Sequence, residues 1–195
     1  MPLEPIDTRS DEDLMSAIAE GQHEALGELV TRHQASIFRL ASAVTRDSTA
    51  AEDVLQDTFL AVLRSATTYR AGGTVKSWLF AIARRAAWKV GRGVAIEKPC
   101  EHTLLEDLGR AAGWGQEGGD AESIAVANEA RRTLRDAFET LSADDREVLV
   151  LRDLEGLANE EAARVLGIDV PAVKSRIHRA RLRLQAACLA GKEQP

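Results

Sequence analysis

Cysteine is nearly missing from this chain. Only Cys100 and Cys188 occur among 195 residues. Two distant thiols make no disulfide framework and suit a reducing cytoplasm. Aromatic residues are scarce, and no run of alternating β-branched residues marks a strand. No stretch approaches the roughly 20 apolar residues that cross a bilayer, so no membrane segment is expected. The opening Met1-Pro2-Leu3-Glu4 has neither a basic region nor an apolar core, so no signal peptide is expected. Catalytic signatures are lacking too. There is no Gly-rich phosphate loop ending in Lys-Ser/Thr and no nucleophile in a recognisable elbow. Cys100 and His102 lie close together, but without a second ligand pair they define no zinc site. No enzyme activity, cofactor or metal is therefore expected.

What is present favours helices: Ala, Leu, Val, Glu and Arg are frequent. The length suits two small domains. Net charge is −6, which by itself argues against a nucleic-acid binder. Its distribution answers the objection. Residues 93–130 hold eight acids against two bases, and the parts on either side are close to neutral, each with a local basic helix. Local patches rather than totals set phosphate contacts. The expected architecture is all-α, with a first domain over residues 1–92, a flexible acidic glycine-containing linker over 93–123, and a second domain over 124–195. Such a linker leaves the two domains with no fixed spacing, and no further domain is expected after them.

The second domain carries a helix-turn-helix. A short helix over 159–166 ends at Gly167, where the chain needs a left-handed residue. Pro171 then opens a second helix. Val173, Ile177, Ala180 and Leu184 recur at helical spacing and form a dry stripe. Lys174, Ser175, Arg176, His178 and Arg179 lie off that stripe, and residues 174–183 contain no acid. A short helix with one dry and one cationic face, set at an angle by a glycine turn, fits the major groove.

In the first domain, Ser10 caps a short helix with Asp13 closing the box, and a long helix follows over 23–45, with His33 among polar neighbours and expected at the surface or its boundary rather than as a ligand. Thr49 is expected to cap the next helix, over 50–64. Its dry face is Ala51, Val54, Leu55, Thr58, Phe59 and Val62, and Asp53, Gln56 and Asp57 lie opposite. A helix over 75–92 is expected to pack through Trp78, Leu79, Ile82 and Ala86. It also carries Lys76, Arg84, Arg85, Lys89 and Arg92 with no acid.

Three of these stretches together resemble a known family. EVLVLRDLEGLANEEAARVLGIDVPAVKSRIHRARLRL, residues 147–184, is similar to the −35-reading region of bacterial extracytoplasmic-function (ECF) sigma factors. AEDVLQDTFLAVLR, ending at Arg64, resembles the family's polymerase-binding helix, and SWLFAIAR, starting at Ser77, resembles its −10-melting helix. The resemblance implies core RNA polymerase and promoter DNA as partners, and an anti-sigma factor that masks the binding faces. It implies −35 contacts at Lys174, Ser175, Arg176, His178 and Arg179. It implies −10 contacts at Lys76, Arg84, Arg85, Trp88 and Lys89, and polymerase contacts at Asp53, Gln56 and Asp57. The chain departs from the family pattern at Arg85 and Lys89, where Asn and Asp are usual, so the −10 base preference is not implied. It departs also at Ala158, which removes a serine cap, and at Pro171. Two other readings compete: a helix-turn-helix regulator that works without polymerase, and a helical adaptor that binds only protein. The basic and acidic helices over 50–92 do not belong in the first, and the second predicts no promoter-dependent transcription.

Overall fold

The computed structural model describes residues 9–70, 72–91 and 121–192. The expected linker lies outside the described residues except for 121–123, and so do Cys100, His102 and Arg92. Among the described residues every regular element is helical.

The first half begins with α1, Asp11–Ala19. Ser10 Oγ accepts the Asp13 N–H, and the Asp13 carboxylate accepts the Ser10 N–H, which is the expected capping box. Gly21, at φ 89°, turns the chain into α2, His23–Thr45. The next helix, α3, spans Ser48–Ser65, and its cap is Asp47 rather than Thr49. Asp47 has extended backbone, so its carboxylate swings over the first turn and accepts the Ala50 N–H at 3.0 Å. Thr49 is already inside the helix, where its hydroxyl cannot reach those donors. The fourth helix, α4, spans Val75–Gly91.

Two expectations about this half need correction. His33 is buried, with Nε2 2.7 Å from Asp11 Oδ2, because α1 folds back across α2 and covers it. The packed face of α4 is Val75, Leu79, Phe80, Ala83 and Ala87, all buried. Trp78, Ile82 and Ala86 stand on its flank and are only partly buried. Both sets repeat at helical spacing. Burial between α2 and α3 selects one of them.

The second half contains α5 (Ala121–Glu139), α6 (Ala143–Leu149), α7 (Asn159–Leu166) and α8 (Val170–Lys192). A π-helical turn, Val150–Leu154, continues α6. Ser142 caps α6 by accepting the Asp145 N–H. Gly167, at φ 68°, ends α7 in the left-handed conformation and gives its N–H to Ala163. Asp169 accepts the Ala172 N–H at 2.7 Å and so caps α8.

The halves are not independently spaced, contrary to the sequence expectation. Helix α4 packs on α7, and α2 packs on α6. Buried apolar side chains run continuously from Leu14, Leu40 and Phe80 to Leu149, Leu151 and Leu166.

Candidate nucleic-acid interface

The angled helix pair of the second half is fixed from below. Val173, Ile177 and Ala180 are buried against α6 and α7, as the periodicity predicts, whereas Leu184, the fourth residue of the expected stripe, is only partly buried. Arg183 reaches Asp145 at 2.6 Å and Arg181 reaches Asp153 at 2.5 Å, tying α8 to α6 and its π turn. These two arginines therefore brace the scaffold. Lys174, Ser175, His178 and Arg179 are exposed together on the opposite side of α8. Arg176 is not grouped with them. It sits on the flank, partly buried, 3.6 Å from Asp144. A helix turns about 100° per residue, so position 176 falls well round from the face that 174 and 178 share. Four of the five predicted groove-reading side chains thus share one exposed surface.

The five residues predicted on α4 divide into two sets. Arg85 and Lys89 are exposed. Arg85 lines a cavity of about 530 Å³ with Tyr69, Arg70, Trp78 and Ile82. Tyr69 and Trp78 meet edge to face there, with centroids 5.0 Å apart. The sequence expectation of plain core packing for Trp78 is therefore only half right: the indole packs, and it also walls an open cavity. Lys76, Arg84 and Trp88 lie along another row, toward the second half. Lys76 Nζ is 3.2 Å from Glu155 Oε2 and donates to the Glu155 carbonyl at 2.8 Å. Arg84 Nε is 2.8 Å from Glu147 Oε1, and the Trp88 indole N–H donates to the same oxygen at 3.1 Å. The Arg84 guanidinium also lies 5.8 Å from the centre of the Trp88 ring.

Burial pushes the Glu147 carboxyl above its ordinary value, and the neighbouring Arg84 and Trp88 pull it back only in part. Glu161 behaves oppositely. The Thr74 hydroxyl donates to it at 2.6 Å and holds its carboxyl below the usual value.

The third predicted group is on α3. Asp53, Gln56 and Asp57 are exposed on one face. Leu60 and Leu63 continue that face at 46% and 43% exposure. Sequence reasoning did not single out these two leucines. The available signal was two large apolar residues off the dry stripe, at positions that continue the 53–56–57 row.

Comparison with known proteins identifies the family. The model described as Sigma-70 region 2 matches residues 29–89, and the one described as Sigma-70, region 4 matches residues 131–184. The RNA polymerase sigma factor CnrH of Cupriavidus metallidurans is 32% identical over 189 residues, covering 95% of this chain and 97% of that protein. The solved structure of CnrH in complex with the cytosolic domain of CnrY superposes with a TM-score of 0.64 at 27% identity, over 95% of this chain and 100% of that one. The ECF RNA polymerase sigma factor SigE of Mycolicibacterium smegmatis is 33% identical over 90% of this chain and 68% of its own length. The sigma factor RpoE of Bartonella quintana, solved in complex with the anti-sigma factor NepR, gives a TM-score of 0.60 at 26% identity, over 87% of this chain and 98% of that one.

Proposed function

Because this chain belongs to the ECF sigma factors of the sigma-70 family, we propose a specific division of labour among its surfaces. The chain is an alternative sigma factor that directs RNA polymerase to promoters. In the proposed assignment, Lys174, Ser175, His178 and Arg179 read the −35 element in the major groove, with Arg176 at the edge of that contact. Lys76, Arg84, Arg85, Trp88 and Lys89 hold the opened −10 strand through phosphate contacts and stacking. Asp53, Gln56 and Asp57, with Leu60 and Leu63, dock on core polymerase. The chain works without catalytic chemistry of its own, in the cytoplasm. Among the described residues no helix is long and apolar enough to cross a membrane. An anti-sigma factor completes the set of partners, by analogy with the RpoE–NepR pair.

The observation that carries this reading is the order of the parts. An acidic-apolar docking face, a cationic helix and a helix-turn-helix follow one another in a single chain. The test is a gel shift and a permanganate footprint on promoter DNA, with and without core enzyme. Free protein should bind weakly, with a dissociation constant on the order of 10⁻⁴ to 10⁻⁶ M, because few cations meet phosphate. Adding core enzyme should give tight binding and an opened −10 region. Tight sequence-specific binding by the free chain, unchanged by polymerase, is what a stand-alone regulator would give. No binding or opening in either condition is what a protein-only adaptor would give.

A further inference from the structure

An exposed hydroxyl stands at the cavity that Arg85 lines. We propose that Thr68 is a phosphorylation site whose phosphate is held by Arg70 and Arg85, so that the modified protein loses Arg85 as a contact for the −10 strand. The inference rests on the −10 assignment of Arg85 above. A kinase would transfer the terminal phosphoryl group of a nucleoside triphosphate to Thr68 Oγ1. The new P–O bond forms as the bond to the diphosphate breaks, and the kinase's base takes the hydroxyl proton.

Position singles out this hydroxyl. A three-residue 3₁₀ turn, Ala66–Thr68, follows α3, and Tyr69 then leaves the helical region with ψ 133°. Thr67 and Thr68 are exposed there, and Thr68 Oγ1 donates to the Ser65 carbonyl at 3.0 Å. Presenting Thr68 to a kinase opens this short turn alone. Ser175 also stands exposed among cations, but it lies inside the 23-residue α8. Extending the chain there would break a packed, cooperative helix. Thr68 lines the cavity, and Arg70 follows it two residues on.

The receptor for a phosphate is already in place. Arg70 and Arg85 are exposed and line the same cavity as Thr68. Arg70 gives Nη1 to the Tyr69 carbonyl at 3.1 Å, and Arg85 gives Nε to the Ala81 carbonyl at 3.0 Å. Each guanidinium keeps further N–H donors to give. Neither pairs with a carboxylate among the described residues, and no described residue lining the cavity is acidic. Glu12 on α1 is the acid whose charge reaches Tyr69, and it is exposed, so salt screens it. Phosphothreonine carries about −2 charge at neutral pH, and beside arginines it forms charge-assisted hydrogen bonds. Arg85 so engaged is no longer available to a DNA phosphate, and the added charge repels one. Lys174, Ser175, His178 and Arg179 on α8 are left unchanged.

Three measurements on the full chain test this. Phosphothreonine is placed at position 68 by genetic code expansion, and at Thr31, exposed on α2, as a control of equal charge. Anisotropy with a fluorescent single-stranded oligonucleotide should show binding about tenfold weaker for the first and near wild type for the second. Permanganate-detected opening with core enzyme should fall in parallel. Phosphorus NMR then reads the phosphate at 68 directly. Its second ionisation should lie below that of phosphothreonine in an unstructured peptide of the same sequence, and Arg70→Ala with Arg85→Ala should return it there. Last, phosphopeptide mass spectrometry of the chain recovered from the cells that make it, in growth and under stress, should find phosphate at Thr68. The inference is overturned if phosphothreonine at 68 binds strand as well as phosphothreonine at 31, if its phosphate titrates as in the peptide, or if Thr68 is unmodified in all of those cells. Circular dichroism checks that the modified proteins fold, and the mass spectrometry needs no altered protein. Wild type that opens no promoter with core enzyme would instead sink the −10 assignment, while the NMR would still report whether the arginines hold the phosphate.

Discussion

Arg176 and Arg179 are three residues apart in an unbroken basic run, yet they stand in different surroundings. Arg179 is exposed beside Lys174, Ser175 and His178, whereas Arg176 is partly buried near Asp144. Arginine bonds guanine through two donors at once, and losing one such pair costs about 1–3 kcal/mol of discrimination. Arg179→Ala should therefore lower transcription from a −35-dependent promoter and flatten its response to −35 base changes. Arg176→Ala should cost less and spread its loss over all sequences. Run-off transcription on a panel of −35 variants separates the two. Equal, sequence-independent losses would mean that both arginines touch only phosphate.

At the scale of the element, α3 carries two unlike faces. Its inner face, Ala51, Val54, Thr58, Phe59 and Val62, is buried against α2 and α4. Its outer face combines Asp53, Gln56 and Asp57 with the half-exposed Leu60 and Leu63. A charged rim around apolar anchors is the composition of a protein–protein contact. Asp57→Arg reverses a charge on that rim and leaves the packed face untouched. It should weaken core polymerase binding about tenfold, roughly 1.4 kcal/mol, with helix content unchanged. A pull-down titration with circular dichroism on the same samples gives the answer, and unaltered affinity would remove Asp57 from the docking surface.

For the whole molecule, the meeting of the two halves makes stability depend on pH through Glu147. Its carboxyl is raised in the folded chain, chiefly by burial. The folded state then binds more protons than the unfolded one between the ordinary carboxylate value and the raised value. The contribution of Glu147 is fully present below the ordinary value and is lost as pH rises through the raised one. Lowering the pH from neutral should accordingly raise the melting temperature of wild type relative to Glu147→Gln, whose side chain does not titrate. Parallel pH dependence of the two proteins would show that Glu147 titrates normally. The same meeting changes the reason why weak binding is expected of the free chain. The composition suggested two domains without fixed spacing. The fold instead engages three of the five α4 residues expected at the −10 element, Lys76, Arg84 and Trp88, with acids from the other half.

Much of this was legible in residue order because helices are local. The capping box at Ser10 and Asp13, the bounds of α2, the left-handed stop at Gly167 and the stripe Val173–Ile177–Ala180 depend on neighbours within a turn or two. The helix-turn-helix was readable for the same reason. What lay beyond the sequence depends on partners far along the chain. Two stripes on α4 were equally periodic, and only the position of α2 and α3 decided which was buried. Nothing near His33 announces Asp11, and nothing near Arg84 announces Glu147. Ion pairs across 22 or 63 residues exist only because the chain folds back on itself. Tertiary packing alone decided which cations of this protein face solvent and which are already spoken for.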